Sequence, residues 1–288
     1  MPPPFSLDYF DPPPELARHV LVLFHFATDM PLIEDLQPGA LGQFVLFPRG
    51  TGTIQLEGRS DPVVAKAHLM SGFSAAAPFH IHGPWHAIGA SLSPFGWAAL
   101  TGAPASDHID RFFPAAELLG AEAEEFGERL SADYCSGAIS GEDAAAALGA
   151  WIAERSGTIP PAHERLIEDV IAWISSALHP HLDALFDTLS YSRRQAERLV
   201  ERYFGLPPAA LARKYRAVRS AALLAKEDLA DYEEAAIANA FYDQPHMVRE
   251  IRRYCGYTPT RLGGDGQPIL KTLLQMKNFS RLQEFRAS

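Results

Sequence analysis

The stretch that decides the fold is FYDQPHMVREIRRYCGYTP, residues 241–259. It begins with an aromatic corner, passes a polar capping residue at Asp243, continues through a run of basic helical turns, and stops at Gly256 before a Thr-Pro pair. This order is typical of the second helix of a helix-turn-helix, whose first turns reach base edges in the major groove. The stretch therefore predicts a DNA-binding helix.

A second unit with the same organisation lies upstream, from Leu185 to Gly205. Ser192 is a favourable N-cap for its second helix, and Gly205 is a favourable stop. Apolar residues recur at helical spacing on one side of that helix and charged residues on another; they are Ala196, Leu199, Val200 and Tyr203, and Arg194, Glu197 and Arg198. A helix that begins at Pro208 connects the units, and its predicted polar side carries Arg213, Lys214, Arg216 and Arg219. Two such units on one rigid spacer suit two successive turns of the major groove.

These motifs together resemble the DNA-binding domain of the AraC/XylS family of bacterial transcription regulators. The resemblance covers residues 162–263 and rests on Ser-x-Arg-x-x-x-x-Leu from Ser192, Phe-Gly-Leu-x-Pro from Phe204, and Phe-Tyr-Asp-Gln-x-His-x-x-Arg-x-x-x-x-x-x-Gly-x-Thr-Pro from Phe241. Four positions depart from the family pattern: Ser190 and Ala240 replace turn glycines, Phe186 stands at a small site, and Ala196 stands at a larger apolar site. The resemblance implies a regulator whose helical C-terminal half binds DNA, with altered packing at the two corners.

By position in the family motif, six side chains are expected to reach bases and five to reach phosphates. The expected base contacts are Arg194, Glu197 and Arg198 of the first unit and Gln244, His246 and Arg249 of the second; the expected phosphate contacts are Ser192, Arg193, Arg202, Arg252 and Arg253. The chemistry fits, because Arg pairs with guanine, Gln pairs with adenine and Glu accepts from cytosine, whereas phosphate contacts fix the register without reading sequence. The alternative for an arginine is an ion pair along its own helix, Arg194 with Glu197 or Arg198 with Glu201.

Charge is distributed unevenly along the chain, whose formal net charge is −10. Residues 181–288 hold 17 basic and 13 acidic side chains, and residues 1–180 hold 8 and 22. Because phosphate repels the acidic half, DNA binding is expected to use the basic half and to weaken steeply as the salt concentration rises. The small positive excess also fits an ordinary solvated surface, so the prediction of DNA binding rests on the motifs.

The first hundred residues alternate short apolar segments with glycine and proline, a pattern typical of short β-strands. The predicted strands cover residues 20–26, 43–47, 52–56, 67–73, 79–82 and 85–92, and helical periodicity covers residues 115–130, 142–154 and 161–178. Residues 12–20, 44–48 and 92–102 also resemble the cupin-like N-terminal domain of some members of the regulator family.

The predicted fold class is therefore α+β and multidomain. Residues 1–110 are expected to form a mostly β, cupin-like barrel or sandwich with a sensing role, and residues 111–160 a helical connector or dimerisation layer. Residues 161–264 are expected to form the all-α domain with two helix-turn-helix motifs, and residues 265–288 an amphipathic helical tail that docks elsewhere.

Six histidines fall in the first half: His25, His68, His80, His82, His86 and His108. His80 and His82 alternate and so share one side of a strand, and His86 follows a predicted turn at Gly83-Pro84. Three imidazoles can hold a metal, but cupin metal sites also use a carboxylate, and residues 62–106 contain no Asp or Glu. The prediction is that the chain holds no metal and no cofactor.

A small-molecule site within the predicted barrel is the more favoured use of the first half. The expected effector pocket comprises Phe44, Phe73, His80, His82 and Trp85. The alternative is that these aromatic residues simply form the core of the domain.

Several classes of protein are disfavoured. The chain has no Gly-x-Ser-x-Gly, phosphate-binding glycine loop or His-Glu-x-x-His motif, so no enzyme activity is predicted. Its two cysteines, Cys135 and Cys255, form neither a disulfide framework nor a zinc-finger pattern. No signal peptide and no apolar run of membrane-spanning length is recognisable, so a cytoplasmic location is expected.

The predicted function is sequence-specific binding of DNA by an effector-responsive transcription regulator. Its expected partners are a double-stranded DNA operator, RNA polymerase, a small-molecule effector and a second copy of the chain, with no membrane. Two alternatives stay open: a cupin-like metal-binding or catalytic protein with a degraded DNA-binding domain, and a regulator without a ligand that acts through a partner protein.

Overall fold

The first half of the chain is built on a largely antiparallel sheet, in the computed structural model whose described residues are 5–39, 41–226 and 228–262. Its strands are β1 (Phe5–Phe10), β2 (Val20–Thr28), β3 (Leu32–Gln37), β4 (Gln43–Leu56), β5 (Arg59–Pro62), β6 (Ala67–Met70), β7 (Ala77–Leu92) and β8 (Phe112–Pro114). They lie in the order β1-β2-β7-β4-β6-β8, with β3 paired to β7 and β5 paired to β4.

The remaining regular secondary structure of the described chain is helical. The α-helices are α1 (Pro94–Thr101), α2 (Ala116–Leu119), α3 (Ala121–Ser136), α4 (Gly141–Arg155), α5 (Pro161–Ser176), α6 (Leu182–Thr188), α7 (Arg193–Phe204), α8 (Pro208–Leu224), α9 (Asp231–Ala240) and α10 (Gln244–Cys255). The predicted α+β class, with a mostly β N-terminal part and an all-α C-terminal part, is confirmed. No helix within the described ranges is long and apolar enough to cross a membrane. The predicted tail helix at residues 265–288 lies outside the described residues.

The backbone groups into two units. Among the described residues, the first comprises residues 5–34, 41–72 and 78–159, and it contains most of the sheet together with α1–α4. The second comprises residues 35–39, 73–77, 160–226 and 228–262, and it contains α5–α10. Each unit has buried hydrophobic clusters of its own, as a separately folding domain requires.

Two predictions about the strands are wrong. The segments predicted at residues 43–47 and 52–56 are one strand, β4, and those predicted at 79–82 and 85–92 are one strand, β7, so Gly83-Pro84 is not a turn between strands. The pairing of β4 with β7 shifts register between Leu46 and Arg49 and again before Thr51, then continues. Such irregularities let a long strand accommodate glycine and proline, and for that reason these residues do not end either strand.

One face of the sheet packs against α3 and α4. The residues at its centre are Leu23, Phe44, Leu46, Leu69, Ile88 and Ala90, and they share a buried cluster with Leu148, Trp151 and Ile152 of α4. This face of the sheet, together with α3 and α4, forms the main hydrophobic core of the first unit. Because side chains alternate along a strand, the intervening residues point to the opposite face.

A cross-strand row of five residues crosses that opposite face. The pairs Tyr9–Phe24, Phe24–Gly89, Gly89–Val45 and Val45–His68 lie directly opposite one another in successive ladders. We call these five residues the Tyr9–His68 row. Close packing requires glycine at position 89, because a Cβ on Gly89 would lie 2.2 Å from Cζ of Phe24.

In the second unit, the predicted helix ends are confirmed. The Ser192 hydroxyl accepts from the Gln195 amide at the start of α7, and the Asp243 carboxylate accepts from an amide at the start of α10. Gly205 and Gly256 follow these helices with φ of 76° and 83°, the left-handed conformation that glycine adopts without strain. The apolar side of α10 packs on α8 through Ile251, Tyr254 and Cys255 against Ala217, Val218 and Ala221.

Replacing Gly89 by valine is expected to destabilise the first unit by about 1 to 3 kcal/mol, because the added atoms overlap the ring of Phe24 in a packed core. Urea unfolding measures the change. Gly157→Ala is the control, because its Cβ meets nothing closer than 3.5 Å. An equal effect of the two substitutions would contradict the packing role of Gly89.

Candidate nucleic-acid interface

Helix α7 exposes an arginine face. Ala196, Leu199, Val200 and Tyr203 are buried on one side. With 3.6 residues per turn, Arg194 and Arg198 lie on the opposite side, and both are exposed. Glu201 and Arg202 are exposed in the following turn. A row of exposed arginines on one face of a capped helix suits the hydrogen-bond acceptors of guanine and the charge of phosphate.

The ion pairs on α7 involve Arg193. Its Nε lies 3.5 Å from Oε1 of Glu197, its Nη1 lies 3.8 Å from Oδ1 of Asp183, and its guanidinium lies 4.5 Å from the ring centre of Phe186. The alternative pairs considered from the sequence, Arg194–Glu197 and Arg198–Glu201, do not form among the described residues. Arg194 and Arg198 therefore extend into solvent, whereas Glu197 is engaged by its neighbour.

Helix α10 exposes a second basic face. Gln244 at its first position and Arg249, Arg252 and Arg253 further along are exposed, and they carry the charge and the amide expected for DNA contact. Asp243 holds the start of the helix, because its Oδ1 accepts from the amide of His246 at 2.7 Å. Just before this cap, Tyr242 is 93% exposed.

The side chain of His246 is arranged differently from the other expected base contacts. Its Nε2 lies 3.1 Å from Oε1 of Glu250, and its Nδ1 lies 3.5 Å from the backbone amide of Tyr242. With Nε2 donating and Nδ1 accepting, both ring nitrogens face the protein. The ring also packs edge-on against Phe241, with 5.9 Å between centroids.

Glu250 in turn binds a buried arginine of α8. Nη2 and Nε of Arg216 lie 2.6 Å and 3.1 Å from Oε2 of Glu250, and both side chains are nearly buried. Nη1 of Arg216 also lies 3.2 Å from the carbonyl oxygen of Ala240 and 2.7 Å from Nδ1 of His179. This guanidinium thus ties α8 to the end of α9, to α10 and to the connection after α5.

The structure corrects the predicted polar side of α8. Lys214 and Arg216 are buried, and Nη1 of Arg219 donates to the carbonyl oxygens of Ile174 and Ala177 at the end of α5. Arg213 is exposed. Helical spacing alone did not separate these roles, because the buried guanidinium of Arg216 satisfies its donors with partners that are distant in sequence. The part played by Glu250 was likewise missed, although its spacing of four residues from His246 was visible.

The effector pocket expected from the sequence does not assemble as predicted. Phe44 packs on Trp151 with 5.3 Å between ring centroids, whereas Trp85 packs on Phe47, and strand alternation places Phe44 and Trp85 on opposite faces of the sheet. They therefore do not line one pocket. His80 lies 2.9 Å from Oε1 of Glu34, His82 is exposed, and Phe73 is buried and belongs to the second unit.

The three histidines considered for a metal do not converge either. His80 is engaged by Glu34, whereas Nδ1 of His86 and Nε2 of His25 both bond to the phenol of Tyr134, at 2.5 Å and 2.7 Å. Burial lowers the pKa of His25 and His86, so that both are neutral near pH 7. Across the described ranges, no three His, Cys, Asp or Glu side chains are arranged to hold a metal ion.

Residues 185–263, which span α6 to α10, match a family model described as a helix-turn-helix domain. The chain carries an AraC-type helix-turn-helix domain. The HTH-type transcriptional regulator GbdR of Pseudomonas aeruginosa is 30% identical to the chain over 112 residues, which are 38% of this chain and 30% of GbdR. The chain thus matches less than a third of the length of that relative.

Two solved structures also match this chain at low sequence identity. ToxT of Vibrio cholerae O395 is 9% identical, with a TM-score of 0.46, over 90% of this chain and 96% of ToxT. The AraC-like transcriptional activator CuxR is 12% identical, with a TM-score of 0.32, over 81% of this chain and 85% of CuxR.

Replacing Arg216 by alanine is expected to destabilise the AraC-type domain by about 3 to 5 kcal/mol, because Glu250 would keep a desolvated charge without its partner. The double substitution Arg216→Met with Glu250→Leu is expected to recover most of that loss, because it removes both charges and fills the space. Urea unfolding measures both effects, with Arg213→Ala as the exposed control. A loss in the double variant as large as in Arg216→Ala would contradict this account.

Proposed function

We propose that the protein is a transcription regulator that recognises a specific DNA operator through α7 and α10. The observation that carries the proposal is the pair of capped helices, each with an exposed basic face, within one AraC-type domain. The acidic first half, with 22 Asp and Glu against 8 Lys and Arg in residues 1–180, restricts the contact to the second half.

The division of labour on DNA follows from exposure and chemistry. Arg194, Arg198, Gln244 and Arg249 extend into solvent and are proposed to bind base edges, Arg to guanine and Gln to adenine. Glu197 is proposed as a weaker base contact, because Arg193 engages its carboxylate. The proposed phosphate contacts are Arg193, Arg202, Arg252, Arg253 and Ser192. The Ser192 hydroxyl accepts from the Gln195 amide and donates to Oε1 of Gln195 at 3.3 Å, so its phosphate contact would replace the second of these bonds.

The proposed partners follow from regulation at a promoter. Operator-bound protein would contact RNA polymerase, and two copies of the chain would occupy repeated half-sites. The selection of bound fragments from genomic DNA would give the operator and its symmetry. Failure to enrich any sequence would sink the proposal.

Replacing Arg249 by alanine is expected to remove discrimination at one base pair of that operator, at a cost of about 1 to 3 kcal/mol. Replacing Arg253 by alanine is expected to weaken binding to all sequences alike and to reduce the slope of log K against log salt by about 1. Titrations of the operator and its single-base variants at several salt concentrations separate the two effects. Arg129→Ala, an exposed arginine of α3, is the control, and an equal loss there would mean that the effects are not local.

We propose in addition that a small-molecule effector binds on the face of the sheet that carries the Tyr9–His68 row. Nδ1 of His68 and the phenol oxygen of Tyr9 are both buried without a hydrogen-bond partner in the described structure. The amide of Val64 donates to Nε2 of His68 at 3.4 Å, so Nδ1 carries the hydrogen. Between them the row is apolar, with Phe24, Gly89 and Val45. An unpaired buried polar atom costs about 1 to 3 kcal/mol, and a ligand oxygen that accepts from it would recover that energy.

Burial lowers the pKa of His68 to about 4, and the ring lies stacked on Phe112 with 4.5 Å between centroids. The folded protein therefore keeps His68 neutral at a pH where the unfolded chain binds a proton. The stability that the neutral ring contributes is present above about pH 6.5 and is lost as pH falls towards 4. A neutral donor among apolar side chains favours an uncharged ligand with a carbonyl or hydroxyl oxygen.

His68→Phe is expected to raise stability at pH 7, because an aromatic ring of similar shape replaces the unpaired polar atom, and the amide of the exposed Val64, which donates to Nε2 of His68, can donate to water instead. The same substitution is expected to reduce the loss of stability between pH 6.5 and pH 4. Thermal unfolding at both pH values measures the change. His108→Phe is the matched control and should destabilise, because Nδ1 of His108 bonds to the carbonyl oxygen of Pro104. Equal destabilisation by both substitutions would show that His68 is satisfied in solution.

A further inference from the structure

We infer that His246, although it stands in the first turn of the second recognition helix, does not read a base, and that Glu250 is the positioning residue that withholds it. The inference rests on the proposed DNA-binding function, because only a DNA-binding helix has bases to read. The contact between His246 and Glu250 is a feature of the free protein. The exposed residues of α10 thus contribute base specificity, whereas His246 stabilises the start of the helix.

Both nitrogens of the His246 ring are occupied in the free protein. A histidine reads a base edge with one ring nitrogen, as a donor or as an acceptor. In His246, Nε2 is 3.1 Å from a carboxylate oxygen of Glu250, and Nδ1 is directed at the amide of Tyr242. The nitrogen that would face a base is thus already engaged, on the side of the ring that faces the protein.

Glu250 is held in place by the buried guanidinium of Arg216. Its other oxygen, Oε2, accepts two bonds from Arg216, at 2.6 Å and 3.1 Å. Only 11% of the Glu250 side chain is exposed, against 31% for His246. A carboxylate held by a buried guanidinium cannot swing outward with the imidazole, because its charge would lose the partner that makes burial tolerable. Rotation of His246 into the groove therefore means losing the contact with Glu250.

Other polar side chains near the start of α10 remain exposed. Gln244 and Arg249 are exposed, and Arg249 forms no ion pair with a described residue. His246 instead packs on Phe241, which belongs to the buried cluster beneath the turn. The histidine thereby holds the start of α10 in place. Base discrimination by α10 then depends on Gln244 and Arg249.

The test measures base-pair preferences of the full chain with His246→Ala and with Arg249→Ala. Every single-base variant of the selected operator is titrated with each protein. His246→Ala is expected to change the preference at each base pair by less than about 2-fold, while Arg249→Ala changes the preference at one base pair by about 5-fold or more. A change of that size at a single base pair with His246→Ala would overturn the inference.

A second background tests whether Glu250 is the cause. In Arg216→Met with Glu250→Leu, the imidazole loses its acceptor while the buried charges are removed together. His246→Ala in that background is expected to change the preference at one base pair by about 5-fold or more, because the released ring is free to read it. No base-pair-specific effect there would overturn the role assigned to Glu250. Circular dichroism checks that the double variant is folded, and Glu250→Gln, which keeps the shape but weakens one of the two contacts, is used if it is not.

A measurement without DNA keeps the inference independent of the proposed function. Nitrogen chemical shifts of the His246 ring in the free protein are expected to show the hydrogen on Nε2 alone, and a mixture of tautomers in the double variant. The hydrogen on Nδ1 in the parent protein would overturn the contact with Glu250. The expected tautomer combined with an absence of sequence-specific DNA binding would overturn the proposed function while leaving the contact with Glu250 supported.

Discussion

The second unit, with its helix-turn-helix domain, depends on one buried guanidinium. Arg216 projects from the connecting helix α8 into a space bounded by the end of α9, by α10 and by the segment after α5. Removing a charge from water is costly, and the cost is offset here because Glu250, His179 and the carbonyl oxygen of Ala240 accept from the same group. The interaction is directional, so it fixes the positions of these elements more narrowly than apolar packing alone.

The same constraint shapes the recognition surface. Glu250 shares its two oxygens between Arg216 and His246, so that a residue buried on α8 sets the orientation of a side chain in the first turn of α10. Arg219 acts similarly on the end of α5. Basic residues of the connecting helix thus serve the architecture of the domain, and exposed arginines of α7 and α10 are the proposed DNA contacts.

Local features of the fold were predictable, and the pairing of distant groups was not. The caps at Ser192 and Asp243 and the stops at Gly205 and Gly256 are local, since each involves atoms within a few residues, and all four are confirmed. The division of β7 at Gly83-Pro84 was wrong, because β7 pairs with β4 both before this dipeptide, at His82, and after it, at His86, so the strand continues past residues that break an isolated one. The residues of the predicted pocket do not come together for a related reason. Strand pairing and alternation place Phe44 and Trp85 on opposite faces of the sheet.

The sequence by itself determined where the helices begin and end, which of their sides are apolar, and that two helix-turn-helix units lie in the basic part of the chain, because periodicity and capping are short-range properties. Only the tertiary structure decided which arginine is buried, which nitrogen of His246 is occupied, and which polar atoms of the Tyr9–His68 row lack a partner. Those outcomes depend on groups from separate elements meeting in a low-dielectric interior. There the cost of an unpaired charge or donor selects one arrangement among several that the sequence pattern allows.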